Sequence, residues 1–119
     1  MATINEVIEQ VSRLSPGAVE DRDIARWLLD LDGRLFRELH MPEDTQRPLV
    51  WPEDGDVPLT AAAPYDSIYA LYAELKTEFY RKDYDQYNNT ALAFNDAMNE
   101  YRKAYRREHP PDPLYITTL

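Results

Sequence analysis

Cysteine is absent from this 119-residue chain. That excludes disulfides, thiolate metal sites and a cysteine nucleophile, and it fits a reducing compartment. Glycine is scarce as well, and Gly17, Gly33 and Gly55 stand too far apart to form a phosphate-cradling loop. The two histidines, His40 and His109, fall at the ends of predicted helices, where an imidazolium meets the negative end of the helix dipole. Neither belongs to a metal-binding His-x-x-x-His or Glu-x-x-His pattern, and Glu53-Asp54-Gly55-Asp56 lacks the further ligands of a calcium loop. The acid pairs Asp30/Asp32 and Asp83/Asp85 are two residues apart, point different ways on a helix, and read as solvated surface groups. No catalytic residue, metal ligand or cofactor is therefore assigned. No apolar run approaches the roughly 18 to 20 residues of a membrane span, and the start, MATINEVIEQ, has neither a basic nor an apolar signal segment. A soluble, non-exported protein is expected.

What is present is acid, tyrosine and helical periodicity. The net charge is −9. Residues 1–40 carry eight acids against five bases, and residues 41–56 carry five against Arg47 alone. The densest basic run, Arg102, Lys103, Arg106 and Arg107, shares its predicted helix with five acids, which argues against sequence-specific nucleic-acid binding. The apolar fraction of 44% and the nine tyrosines oppose disorder and suit one modest core.

The periodicity predicts an all-α, four-helix domain spanning 1–109. Thr3 and Glu6 have capping-box spacing and open a helix over about 3–14, in which Ile4, Val7, Ile8 and Val11 share a face before Ser15-Pro16-Gly17 stops it. A second helix, about 20–39, aligns Ile24, Trp27, Leu28, Leu31 and Leu35. Its Gly33 marks either a close backbone approach or a tolerated defect. From His40 to Ala63 the period vanishes among four prolines, giving a long loop whose apolar residues around Asp54-Gly55 can form a short β-hairpin. Pro64 is placed as the first residue of a third helix, about 65–81, with Ile68, Leu71, Tyr72, Leu75 and Phe79 on one stripe. The short break at Arg81-Lys82-Asp83 favours a long antiparallel helical hairpin over a continuous bent helix. The tail 110–119 starts with prolines, is extended, and either folds back or adds to another chain.

The fourth helix, about 83–108, carries the clearest pattern: Tyr84, Tyr87, Ala91, Phe94, Met98, Tyr101 and Tyr105 alternate steps of three and four. A sustained 3.5-residue period marks a seam packed along one partner helix, of this chain or of a neighbouring subunit. Asn88, Asn95 and Arg102 form a second row beside it. Tyrosine buries area while its hydroxyl stays wet, a combination that interfaces favour. The candidate interface residues are Tyr84, Tyr87, Asn88, Asn95, Tyr101, Arg102 and Tyr105, together with Trp51 of the loop and Tyr115 and Ile116 of the tail.

The segments Ala63-Pro64-Tyr65-Asp66-Ser67-Ile68-Tyr69, Glu78-Phe79-Tyr80, Tyr84-Asp85-Gln86-Tyr87-Asn88-Asn89 and Phe94-Asn95, with Tyr101 and the earlier Trp27-Leu28 to Leu31-Asp32-Gly33, resemble small proteins of tailed-phage and prophage structural modules. The resemblance is to the head-tail connector, or head-completion, class, and it covers about Thr3 to His109. It implies a non-catalytic virion-assembly protein, forming a homo-oligomeric ring on portal or neck proteins, in the bacterial cytoplasm during assembly and then in the virion neck. Charge placement alone gives the acid-rich 41–56 segment the character of a surface that repels DNA where it faces a channel. An acidic DNA mimic or inhibitor and a small enzyme without a recognisable motif are the readings from other classes.

Overall fold

The computed structural model describes residues 2–14, 19–40 and 49–108. The Ser15-Pro16-Gly17 stop, the loop portion 41–48, His109 and the tail 110–119 lie outside the described residues. The fold is all-α, with four helices: α1 (Ile4–Leu14), α2 (Asp21–Leu35), α3 (Ser67–Tyr80) and α4 (Tyr84–Glu108). A single π-helical turn, Phe36–His40, prolongs α2.

Each helix starts for a local reason. The Thr3 hydroxyl accepts from the Glu6 amide at 3.2 Å, which is the threonine half of the expected capping box. Asp21 and Asp23 lie in the first turn of α2, at the positive end of its dipole. α3 begins later than the sequence suggests, at Ser67 with Asp66 as its cap, so Pro64 stands outside the helix rather than at its first position.

α3 is the central helix. Ring contacts run down the α3/α4 hairpin in antiparallel order: Tyr65 with Tyr101, Tyr72 with Phe94, and Phe79 with Tyr87. The heptad stripe is thus an intramolecular seam. Met98 and Tyr101 are buried in it, whereas Tyr84 at its other end is exposed. α2 also lies antiparallel to α3, with Asp32 near Tyr69 and Trp27 near Lys76 and Phe79. α1 runs parallel to α3, since Ala2 and Glu6 face Asp66 and Ser67 while Leu14 faces Thr77 and Arg81. Wrapped by three helices, α3 buries Ile68, Tyr69, Tyr72, Ala73, Leu75 and Thr77, which is more than one stripe. Ile4, Ile24, Leu28, Leu35 and Ile68 are almost fully enclosed, and each contributes about 1.5–3 kcal/mol by leaving water.

The hinge between α3 and α4 is a Schellman turn. The amide of Lys82 donates to the Phe79 carbonyl at 3.0 Å and that of Asp83 to the Glu78 carbonyl at 2.9 Å, with Lys82 left-handed at φ 63°. Asp83 then caps α4, its carboxylate accepting from the Gln86 amide. Three residues end one helix and begin the next, and the hairpin, not a continuous bent helix, results.

Among the described residues 49–63 there is no β-hairpin. The chain makes successive turns, and its one bridge joins Pro58 to Thr3. The reason is Asp54, which is buried: its amide donates to the Val50 carbonyl while its carboxylate accepts from the Val50 amide, both at 2.8 Å, folding the segment on itself. The segment is fastened to the start of α1. The Asn5 amide donates to the Gly55 carbonyl, and the Leu59 amide to that of Ala2. The Asn5 side chain donates to Asp56 and accepts from the Trp51 indole.

The two described glycines make opposite demands. A Cβ on Gly33 meets nothing nearer than Arg37 at 4.0 Å, so this is the tolerated defect and not a close approach. A Cβ on Gly55 falls 2.5 Å from the Asn5 side chain, which is held from two sides. Gly33→Ala is expected to stabilise the protein by about 0.5–1 kcal/mol and Gly55→Ala to destabilise it by about 1–3 kcal/mol, read by urea denaturation. The reverse order contradicts this packing.

Candidate functional site

Two places concentrate chemistry, one inside the bundle and one at its tip. The inner one is built on Asp32, which the sequence presents as half of a solvated acid pair. It is in fact buried, at 8% exposure, and only Asp30 remains outside. One Asp32 oxygen accepts from the Tyr69 hydroxyl at 2.6 Å and from the Thr60 amide at 2.9 Å, and the other accepts from the Thr60 hydroxyl at 2.9 Å. The Tyr69 hydroxyl in turn accepts from the Ala61 amide at 2.8 Å. The carboxylate thus has three donors, and the fully enclosed phenol both donates and accepts. α2, the 59–61 segment and α3 are tied at one point.

These groups satisfy one another. No open hollow is lined by Asp32, Tyr69 or Thr60 in those that surround α1, α3 and the hairpin tip. Burial, reinforced by the Asp32 charge and hydrogen bond, raises the Tyr69 phenol far above its ordinary range. Burial, with Asp32 next and then Tyr105 and Glu108, pushes Tyr101 up to about 12. Such a network fixes the relative position of three elements.

The outer place is the tip of the α3/α4 hairpin. Phe79, Tyr80 and Tyr84 are 56%, 71% and 53% exposed there. With Trp27, Lys76 and Lys82 they line a hollow of about 410 Å³. Phe79 and Tyr84 meet edge to face at 6.0 Å, and Lys76 reaches over the Tyr72 ring at 5.4 Å. Lys82 is a non-glycine residue held left-handed, a conformation that costs roughly 1 kcal/mol relative to glycine. Exposed aromatics are thus gathered here around two lysines.

The sequence-predicted interface residues separate into groups. Tyr84 lies at the tip, and Tyr87 is half-buried against Phe79 at 5.5 Å. Tyr101 is enclosed in the hairpin seam and Tyr105 is half-buried near its end. Asn88 and Asn95 face outward, with exposed Leu92 between them on α4. Arg102 does not extend that free row, because it pairs with Glu38 of the π-helical turn at 2.8 Å. Trp51 is half-buried and spends its indole N–H on Asn5. Tyr115 and Ile116 lie outside the described residues. Phe79 and Tyr80 were missing from the sequence-derived set because the helical stripe assigns Phe79 to the core. The signal available for both was position, since they directly precede the helix break at 81–83.

Within the acid-rich 41–56 segment, Asp54 is consumed by its own turn and Asp56 by Asn5, which leaves Glu53 as the exposed described acid without a structural task. Among the described residues no helix is long and apolar enough to cross a membrane. No family model, curated protein or solved structure matches the chain.

The raised phenols set the alkaline limit. A tyrosine whose folded pKa exceeds its unfolded value of about 10 keeps its proton in the folded state after the unfolded chain has lost it. Stability is therefore complete below pH 10 and falls as pH rises from about 10 towards 12. Near-ultraviolet titration is expected to show Tyr101 ionising towards pH 12 and Tyr69 only with loss of helical circular dichroism. Ionisation of all nine tyrosines with the helices intact contradicts this.

Proposed function

We propose that this chain is a non-catalytic assembly protein that acts through the α3/α4 hairpin tip, as a head-tail connector or head-completion adaptor of a tailed phage or prophage. The observation that carries the reading is the exposed Phe79-Tyr80-Tyr84 cluster flanked by Lys76 and Lys82. Large aromatics are the side chains that dominate contact energies between proteins, and keeping three in water at a helix break has no benefit to the monomer. Lys82 adds to this: glycine there relieves the left-handed backbone, so retaining a cation beside the aromatics favours a role in recognition.

The connector assignment itself rests on the sequence resemblance, and the all-α hairpin architecture is compatible with it. In this reading copies of the chain associate on a portal or neck protein, in the bacterial cytoplasm and then in the virion neck, with the outward Asn88–Leu92–Asn95 row of α4 facing a neighbouring copy. The Asp32, Thr60 and Tyr69 groups are engaged with one another, which supports a scaffolding role for them.

The test is co-purification of the chain with the proteins encoded beside its gene, which in this reading include portal and neck proteins. The expected result is a stable complex in which Tyr80→Ser weakens association about tenfold or more. Lys82→Gly is expected to weaken it too, while raising the stability of the free chain by up to about 1 kcal/mol. Failure to bind any of those proteins overturns the connector reading. Binding that ignores both substitutions overturns the role of the tip.

A further inference from the structure

The parallel arrangement of α1 and α3 leaves a trough along α3 that α2 does not line and that α4 borders at Gln86. Two hollows of about 580 and 450 Å³ lie end to end in it and share Leu14, Ala70 and Glu74. The floor is small and apolar at Ala70, with Val7, Val11 and Leu71 on the walls. Leu14 stands at the lip with 70% of its surface in water. A wet leucine over an alanine floor is apolar surface that the domain leaves unused.

The charge of the trough has one sign. Glu6, Asp66, Glu74, Glu78 and Asp83 line it, against Arg81 as the one cation in the lining. Glu74 and Glu78 are one helical turn apart on the same face, an arrangement in which like charges repel. One carboxylate oxygen of Glu78 is buried and has no hydrogen-bond partner. The Glu74 carboxyl is raised above its usual range by burial and, second, by the Glu78 charge. A desolvated oxygen without a donor and a repelled neighbour call for a cation from outside.

We infer that the α1/α3 trough docks an amphipathic helix of another protein, its apolar side on Leu14, Ala70 and Leu71 and a lysine or arginine set between Glu74 and Glu78. The occupant is a helix because the two hollows together follow α3 from Ser67 to Asp83, about 25 Å, a length that suits about four to five helical turns. It is basic because the lining is acidic. The chain's own segment 110–119 contains Asp112 and no base, so it does not supply the charge. This surface adjoins the hairpin tip at Arg81 and Asp83 but shares no lining residue with it, and it does not depend on the connector assignment.

The full chain, isotopically labelled, is titrated with two synthetic peptides of about fifteen residues and identical leucine, alanine and arginine content. In one the leucines repeat at helical spacing, and in the other the order is scrambled. Backbone amide shifts on Val11, Leu14, Ala70, Glu74 and Glu78, with at least about tenfold tighter binding of the amphipathic peptide, are expected. Glu74→Gln combined with Glu78→Gln removes a repulsion, so the melting temperature holds or rises while affinity for the amphipathic peptide falls about tenfold or more. Ala70→Leu, which fills the floor, is expected to block binding with the acids intact. Equal binding of both peptides, shifts that map to other surfaces, or unchanged affinity in the charge-neutralised variant overturns the proposal.

Discussion

The hydrogen bond between Asp32 and Tyr69 is the contact on which the rest of this structure depends. α3 must be reached from three sides at once, by α1, α2 and α4, and apolar contacts alone permit sliding along a helix axis. A carboxylate that accepts from Tyr69 and from two donors of Thr60 permits one register. It sets α2 against α3 and brings residues 59–61 over the core. Through Leu59 and Pro58 it also reaches the start of α1. A buried charge is costly when its partners are incomplete, which is why Tyr69, whose hydroxyl also takes the Ala61 amide, has no exposed surface at all.

From this tie the molecule has two unlike ends. Near Asp32 the loop 49–61, the start of α1 and the late part of α4 are drawn together, and Glu38 with Arg102 closes the outside of that end. At the other end the hairpin runs on past the core. Its seam is progressively less covered from Tyr101 through Tyr87 to Tyr84, and it finishes in the exposed Phe79, Tyr80 and Tyr84. The exposed aromatic tip thus stands at the far end of a hairpin whose base is tied by Asp32 and Tyr69.

The helices were legible in the sequence because their signals are local. The Thr3 cap, the Ile24-to-Leu35 spacing and the alternation from Tyr84 to Tyr105 are each contained in one segment, and each produced its helix within a few residues. The 3.5-residue period showed that α4 has a partner helix and the short break at 81–83 favoured α3, while the ring contacts settle that the seam is intramolecular. Asp32 was not legible. Its partners are 28 and 37 residues away, and a lone acid on a helix gives no local indication of whether it meets water or a phenol. Phe79 failed in the opposite sense: its spacing placed it on the apolar stripe, but the stripe outran the core, which periodicity alone does not measure. The turns around Asp54 replaced a β-hairpin because a side-chain carboxylate took the amide that a strand ladder needs.

The central claim is that Asp32 and Tyr69 act as one unit that holds the domain in register. A double-mutant cycle of Asp32→Ala and Tyr69→Phe, read by equilibrium denaturation, tests it most directly. The account requires a coupling of about 1–3 kcal/mol, the two losses together being smaller than their sum. Losses that add to within about 0.5 kcal/mol would show two independent core positions, and the register of the bundle would then have to come from apolar packing alone.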